Sequence, residues 1–143
     1  MIQYIRHKAN LLAIIIQKEF KKEEGIEFFT PTDFSQQLGY MSYKKGKIIE
    51  AHTHKIVKRE ILYTKEVLFI RKGKVRVDFY KEDTTYIKSY ILNKGDIILL
   101  AHGGHGFEVL EDCEIIEVKQ GPYTDDNDKI KFNSSKPQII LDE

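Results

Sequence analysis

The chain has 143 residues, enough for one domain with a hydrophobic core, and its 41% hydrophobic and 31% charged residues are typical of a globular protein. A formal net charge of +1 leaves no electrostatic footprint for nucleic-acid binding. The longest apolar run, residues 11–16, is too short to cross a bilayer, and the single cysteine fits a reducing compartment, so we expect a cytoplasmic protein.

The N-terminal segment has the spacing of an amphipathic helix. Between residues 5 and 24, apolar side chains recur at a period close to 3.6, and Gly25 follows as a C-terminal stop signal. Pro31 then keeps Thr30 out of the helical conformation. The pattern therefore predicts a helix and an extended connecting segment within residues 1–36.

From residue 37 the pattern changes to short apolar runs separated by turn signals. The predicted strands are GYMSYK, KIIEAHTH, IVKREILYT, EVLFIRK, KVRVDFY, YIKSYIL, DIILLAH, FEVLE and EIIEVKQ. KVRVDFY alternates, so that Val75, Val77 and Phe79 share one face. No crossover helix is indicated between the runs, which makes the sheet antiparallel. The fold class predicted for residues 37–120 is thus mainly β, a single antiparallel barrel or jelly roll, followed by a polar tail over residues 121–143.

Histidines and a glutamate occupy matching positions on the predicted strands. His52 and His54 project from one face of a strand, about 7 Å apart. Glu66 shares a face with apolar Leu68 and is expected to point inward, and His105 begins a later strand. Three imidazoles and one carboxylate facing a common interior would form a mixed nitrogen and oxygen site for Fe(II), Mn(II), Ni(II), Cu(II) or Zn(II).

Three stretches resemble the sequence motifs of the cupin superfamily. GKIIEAHTH and EVLFIRKG are similar to the first cupin motif, and GDIILLAHGGH is similar to the second. The resemblance covers residues 40–120 and implies a β-barrel that binds a divalent transition metal. Carried over residue by residue, it implies that the ligands are His52, His54, Glu66 and His105.

The implied ligand set has open alternatives. Eleven residues separate His54 from Glu66, more than is usual in cupins, which predicts a long hairpin, KIVKREILYTK, over the barrel mouth. The Gly103–Gly104 pair could present His102 instead of His105 as the late ligand. Glu66 could instead support an imidazole from outside the metal shell.

The stretch LNKGDIILLAHGGHGFEVLEDCEIIEVKQGPY is similar to small cupins associated with bacterial surface-polysaccharide and nucleotide-sugar pathways. This resemblance implies a sugar or sugar nucleotide as substrate, which the protein would isomerise or epimerise. Imidazoles at a barrel mouth suit enolisation next to a carbonyl, with or without a metal. A non-catalytic module that binds a small molecule is the alternative, because the fold does not choose between the two classes.

The candidate catalytic groups depend on the metal. If both paired histidines bind a metal, a separate base is needed, and Glu60 and Tyr63 are the candidates. Without a metal, His52 or His54 can transfer the proton itself. Glu50 is a further titratable group near the predicted cavity.

Neighbouring residues suggest how a ligand would be held. Lys58 and Arg59 on the predicted hairpin could grip phosphates, although a solvated edge strand carries lysines just as readily. Cys113 lies beside acidic residues and has no nearby base in the sequence, so a nucleophilic role is not expected.

A homodimer is expected from the predicted architecture. Small antiparallel barrels have exposed sheet edges, and exchange of a strand or tail between two copies covers them. The C-terminal segment KPQIILDE supplies an apolar stretch for such packing.

Overall fold

The structure is a computed structural model that describes residues 1–125, 127–134 and 140–141. The chain divides into two units, Met1–Phe20 with Tyr63–Glu143, and Lys21–Leu62. The strands are β1 (Ile2–His7), β2 (Asn10–Ile16), β3 (Gly25–Phe28), β4 (Gly39–Ser42), β5 (Glu66–Tyr80), β6 (Tyr86–Asn93), β7 (Ile97–Leu100), β8 (Gly104–Lys119) and β9 (Ile140–Leu141). Among the described residues, no helix is long and apolar enough to cross a membrane.

The first unit is built on one curled sheet. Its strands follow the order β1-β2-β7-β5-β6-β9, and β8 pairs with β5 along its length. All pairs are antiparallel except β6 with β9. The sheet forms a half-barrel, so the predicted mainly β, antiparallel, barrel-like class is confirmed at that level.

The predicted N-terminal helix is wrong. Residues 2–16 form a hairpin in which Ile2 lies opposite Ile16, and the turn places Lys8 at a φ of +53°. Every residue from 11 to 16 is buried, so β2 is covered on both faces. A strand buried on both faces reads as a continuous apolar run, and its β-branched isoleucines favour the extended conformation. The helical spacing of residues 5–24 was therefore coincidental.

Four of the predicted strands merge into two long ones. EVLFIRK and KVRVDFY form the single strand β5, and FEVLE and EIIEVKQ form β8. The β5–β8 register shifts between Ile70 and Val75, where the ribbon bends. Gly73 lies in this stretch with a φ of +83°, and a Cβ there would clash with the carbonyl of Asp112. Glycine thus permits both the left-handed backbone and the close approach of the two strands.

The turn between β6 and β7 explains the GD pair of the sequence. Asp96 is buried, and its carboxylate accepts hydrogen bonds from the backbone N–H groups of Asn93 at 2.7 Å and Lys18 at 2.9 Å. Gly95 has a φ of +95°, which only glycine adopts readily. Asp96 therefore joins this turn to the end of β2.

The core lies on the concave side of the sheet. Val75, Val77 and Phe79 face it, as predicted, and all three are buried. The core cluster consists of Ile5, Leu12, Ala13, Ile15, Leu68, Ile70, Val75, Val77, Phe79, Leu92, Ile98 and Leu100. Five strands contribute to it, which fixes the positions of the strand ends where the candidate site lies.

The second unit contains the β3–β4 hairpin followed by an irregular segment. Between the two strands, the hydroxyl of Thr30 donates to Gln37 Oε1 at 2.7 Å and accepts a hydrogen bond from the N–H of Leu38 at 3.1 Å. Residues 43–62, which we call the basic arm, contain no strand. The predicted strands KIIEAHTH and IVKREILYT are therefore wrong. Side chains 44–62 are all exposed, so these runs lack the partner strand and covered face that a stable strand requires.

The tail is described only in part. Of the segment KPQIILDE, which was expected to pack in a dimer, only the backbone of β9 lies within the described residues, where it pairs with β6 of the same chain. The rest of that expectation falls outside the described residues.

Candidate functional site: an acid–imidazole pair on the concave face

Glu66 and His105 meet on the concave, core-facing side of the sheet. The Nε2 atom of His105 lies 3.0 Å from Oε2 of Glu66. The Glu66 side chain is 14% exposed and the His105 side chain 32%, so the pair is sheltered but can be reached from solvent. The structure thus brings together two of the four residues that the sequence predicts as ligands.

The contact depends on the curl of the β5–β8 ribbon. His105 lies opposite Phe79, thirteen residues along β5 from Glu66. A straight strand would hold these positions about 40 Å apart. The ribbon must therefore curl along its length, and the register shifts between Ile70 and Val75, with Gly73 among them, lie in the middle of this curl.

His105 keeps the pKa of the Glu66 carboxyl below its usual value, chiefly through their hydrogen bond. Burial acts in the opposite direction, while the charges of His105 and Lys119 and a hydrogen bond with Glu117 add to the lowering. Glu66 is consequently ionised at neutral pH and accepts the hydrogen bond, so His105 donates from Nε2. In the neutral imidazole, the lone pair then resides on Nδ1.

Two residues beside the pair were missed by the sequence reasoning. Lys119 lies opposite Glu66 in the β5–β8 register, and Glu117 lies opposite Leu68. The alternation of EIIEVK was the available signal, because it places Glu117 and Lys119 on the same face as core-facing positions. These residues add a second carboxylate and an ammonium group to the site.

His52 and His54 lie in the basic arm of the second unit. Their ring centroids are 5.3 Å apart in an edge-to-face arrangement, and Nδ1 of His52 lies 2.8 Å from the backbone oxygen of Glu50. The two imidazoles are therefore neighbours, although the strand predicted to carry them is absent. The arm also carries the other predicted candidates Lys58, Arg59 and Glu60, all exposed.

Neither unit, taken by itself, brings together enough of the predicted ligands among its described residues to hold a metal ion. Among the residues that the structure describes, no three His, Cys, Asp or Glu side chains form a group that could hold a metal ion. Glu66 and His105 supply two donors, whereas zinc-type sites use at least three protein ligands. The set of His52, His54, Glu66 and His105 draws on both units and stays a prediction.

A separate cavity of about 290 Å³ opens on the first unit. It is lined by Tyr63, Thr64, Lys81, Glu82, Thr84, Ala101, His102, Gly103, Gly104, Ile130 and Phe132. Nε2 of His102 lies 3.5 Å from Oε1 of Glu82, and the ring of Tyr63 packs edge-on against His102 with centroids 4.6 Å apart. Tyr63, predicted as a catalytic candidate, thus belongs to this cavity.

His102 and His105 serve different sites. The backbone N–H of His102 donates to the carbonyl of Leu12 at 3.2 Å, and Gly103 turns the chain with a φ of +72°. Gly104 lines the cavity, and alternation along β8 then turns His105 to the opposite, core-facing side. The sequence left open whether His102 or His105 is the late ligand. In the structure, the two histidines lie on different surfaces, His102 in the cavity and His105 on the core-facing side.

The outer face of β5 carries a second ion pair. Asp78 accepts hydrogen bonds from Arg76 Nε at 2.8 Å and Nη2 at 3.1 Å, and from the hydroxyl of Ser89. Arg76 Nη1 also lies 2.6 Å from Oε2 of Glu108, and the hydroxyls of Tyr86 and Ser89 are 2.8 Å apart. Asp78 and Ser89 are buried. The network ties β5, β6 and β8 together, which is a structural role.

Comparisons with protein-family models, with curated proteins and with solved structures found no match. The geometry of the chain itself is therefore the basis for its function.

Proposed function

We propose that the protein is a cupin-type enzyme that moves a proton at the carbon next to a carbonyl of a sugar or sugar nucleotide. The observation that supports this most directly is the 3.0 Å contact between Glu66 and His105 on the concave face. An ionised carboxylate that holds one nitrogen of an imidazole leaves the other nitrogen able to act as a base. The reducing cytosol is the proposed location.

His105 is the proposed base. Its Nδ1 takes the proton from the α-carbon, the electrons of the broken C–H bond form a C=C bond, and the carbonyl π electrons move to oxygen as an enolate. Glu66 steadies the imidazolium that forms and fixes the ring orientation. For isomerisation, the hydroxyl on the α-carbon loses its proton to the enolate oxygen and becomes the new carbonyl, while His105 returns its proton to the former carbonyl carbon. For epimerisation, a water molecule protonates the α-carbon on its opposite face, and His105 gives its proton to the hydroxide that is left.

Lys119 is the proposed stabiliser of the enolate oxygen. Its charge already acts on Glu66, and it lies opposite that residue in the β5–β8 register. A cation near the developing oxyanion lowers the energy of the transition state more than that of the ground state.

The proposal also includes a divalent metal. The metal would be bound at the site, but no step of the reaction is assigned to it. His52 and His54 would have to join Glu66 and His105, because two donors hold a metal poorly against water. Such a metal would polarise the carbonyl. Every step above is assigned to residues of the chain. Glu60 is the base to test if a metal engages His105, because Tyr63, the other predicted candidate, lines the separate cavity around His102.

Deuterium uptake tests the proposal. The full chain, with and without added metal, is incubated in deuterated water with a panel of keto-sugar nucleotides, and mass spectrometry follows the α-carbon. We expect incorporation that falls about 10²–10⁴-fold in His105→Ala, the usual contribution of a general base. His7→Ala is the matched control, because it removes an imidazole from β1, and it should exchange normally. No deuterium uptake with any substrate, or uptake in His105→Ala equal to that of the wild type, would refute the proposed enzymatic function.

The cavity around His102 favours a second candidate, a non-catalytic module that binds a small anionic molecule. Lys81 lines the cavity, and the adjacent polar groups are already paired, His102 with Glu82 and Thr64 with Asp128 at 2.8 Å. Binding of a sugar phosphate in calorimetry that is lost in Lys81→Met, kept in His105→Ala and accompanied by no deuterium uptake would select this function.

A further inference from the structure

The basic arm exposes an unusual number of apolar side chains. Ile48, Ile49, Ile56, Val57, Ile61 and Leu62 are all exposed, and Ile56 is fully so. A loop of this length without regular structure is uncommon in a compact chain and usually has a function. Contiguous exposed apolar surface is typical of an interaction site.

The strand β8 exposes a second apolar surface in the other unit. Phe107, Val109, Leu110, Ile115, Ile116 and Val118 are exposed, and they occupy both faces of the strand. Within the part of the chain that the structure describes, β8 pairs with β5 alone. Its other edge therefore offers backbone N–H and C=O groups along 16 residues, which is a template for a further strand.

The two surfaces are complementary in charge. The arm contains six basic and two acidic residues. The strand β8 contains five acidic residues and one lysine. Three of those acids already face bases of β5, Glu108 with Arg76, Glu111 with Lys74 and Glu114 with Arg71. Counted together, β5 and β8 still hold seven acidic and five basic residues, so the ribbon remains acidic where the arm is basic.

We infer that two copies of the chain exchange their arms, and that the basic arm of each copy adds to the open edge of β8 in the other. The arm supplies exposed pairs of apolar residues with basic residues between them and contains no strand of its own, and β8 supplies an unpaired edge, apolar side chains and negative charge. In a dimer with two-fold symmetry, both arms and both copies of β8 are buried in one interface. The open side of each half-barrel is thereby completed by the other copy.

The size of the two surfaces suits a stable dimer. A standard interface takes about 20–30 residues from each partner. Each copy would contribute the 20 residues of the arm and the 16 residues of β8. Main-chain hydrogen bonds along β8 provide affinity, and the side chains that alternate along it set the register.

The same exchange would supply paired histidines to a neighbouring sheet. His52 and His54 lie in the arm, whereas Glu66 and His105 lie on β5 and β8. A site with donors from two copies would reconcile the predicted ligand set with the pair of donors that one unit provides. The dimer itself does not rest on the proposed catalytic or metal-binding function, and the tests below use neither activity nor metal.

The oligomeric state is the first test. Sedimentation equilibrium of the full chain at micromolar concentration should give a dimer. Ile56→Asp should raise the dissociation constant about tenfold or more, because it places a charge in an apolar contact. Ile130→Asp is the matched control, because Ile130 is 91% exposed and lies outside both surfaces. A monomeric wild type, or a dimer that Ile56→Asp leaves unchanged, would overturn the inference.

Disulfide trapping distinguishes exchange from folding back on the same chain. Cys113 is the only cysteine and lies on β8, so single cysteines introduced at Ile48, Ile56, Val57 and Leu62 can link only to it or to each other. We expect a covalent dimer from at least one position, lost when Cys113→Ala is added. Ile130→Cys is the control and should give little covalent dimer. An intramolecular link, or no link to Cys113 from any arm position, would refute exchange.

Discussion

The two faces of β5 each carry a carboxylate paired with a nitrogen-bearing side chain, and the pairs differ in how much of their hydrogen-bonding capacity is still free. On the outer face, Asp78 accepts from three groups and its partner Arg76 contacts a second carboxylate, so their hydrogen-bonding capacity is largely used. On the concave face, Glu66 holds one nitrogen of His105, and the ring is partly exposed. The first arrangement resembles a structural tie and the second a site for proton transfer.

The chemistry of the partner explains the difference. A guanidinium has donors only, so the Arg76–Asp78 pair offers no nitrogen that can accept a proton. An imidazole has two ring nitrogens, so His105 can hold Glu66 with one and present the other to a ligand. Burial alone therefore does not identify a functional pair, since the more buried of the two pairs is the one without a free ring nitrogen.

Breaking the outer pair should have the largest effect on stability. Asp78→Asn removes the negative charge that pairs with the mostly buried Arg76. We expect the free energy of unfolding to fall by about 3 kcal/mol, as it does when one partner of other buried pairs is removed. Urea denaturation followed by circular dichroism measures this. Glu111→Gln, which breaks the exposed pair with Lys74, is the matched control and should cost less than about 1 kcal/mol. Equal small losses in both variants would contradict the structural role.

Metal should affect only the concave pair, and through the predicted ligand set. A divalent metal present at a hundredfold excess over its dissociation constant stabilises the folded state by about 2.7 kcal/mol, which raises the melting temperature. We expect such a rise with at least one of Fe(II), Mn(II), Ni(II), Cu(II) or Zn(II) and its loss in the double variant His52→Ala, His54→Ala. His7→Ala should respond like the wild type. If none of these ions raises the melting temperature, the predicted metal site is refuted.

The smallest effect should be a pH dependence that comes from Glu66. Its pKa is lowered in the folded state, so the ionised carboxylate stabilises the fold above the unfolded value of 4.5. This contribution is lost as the pH falls through the folded pKa. In chelator-treated protein, the stability difference between wild type and Glu66→Gln should be constant at neutral pH and shrink in acid. The slope should weaken in His105→Ala, because His105 is the main cause of the lowering.

The sequence indicated the faces of Glu66 and His105 better than it indicated the structure of the segments around them, while the metal site built on these residues stays a prediction. Strand alternation placed Glu66 with Leu68 and set His105 at the start of a strand, and the structure brings their side chains into contact. The hairpin of residues 2–16 was mistaken for a helix because a strand buried on both faces has no alternation to reveal it. The bend at Gly73 was also invisible, since a glycine between two apolar runs reads as a turn that separates them.

The arm shows a different limit of sequence reasoning. KIIEAHTH was predicted as a strand, yet residues 44–62 are exposed and unpaired by any strand in the described chain. A strand requires a neighbour, and the identity of that neighbour is not encoded in local spacing. If the neighbour is β8 of a second copy, the sequence pattern describes the dimer and not the isolated chain.

The long β5–β8 ladder also determines how the molecule folds. It pairs Tyr80 with Gly104 at one end and Glu66 with Lys119 at the other, so every rung joins residues far apart in the chain. Closing such loops costs entropy before the paired strands return any stabilisation, and all-β chains dominated by distant pairings fold in about milliseconds to seconds. During synthesis, β5 emerges well before the strand that completes its ladder. The contact between Glu66 and His105 should therefore form late, with the final rungs, and should mark the arrival of the native state in a kinetic experiment.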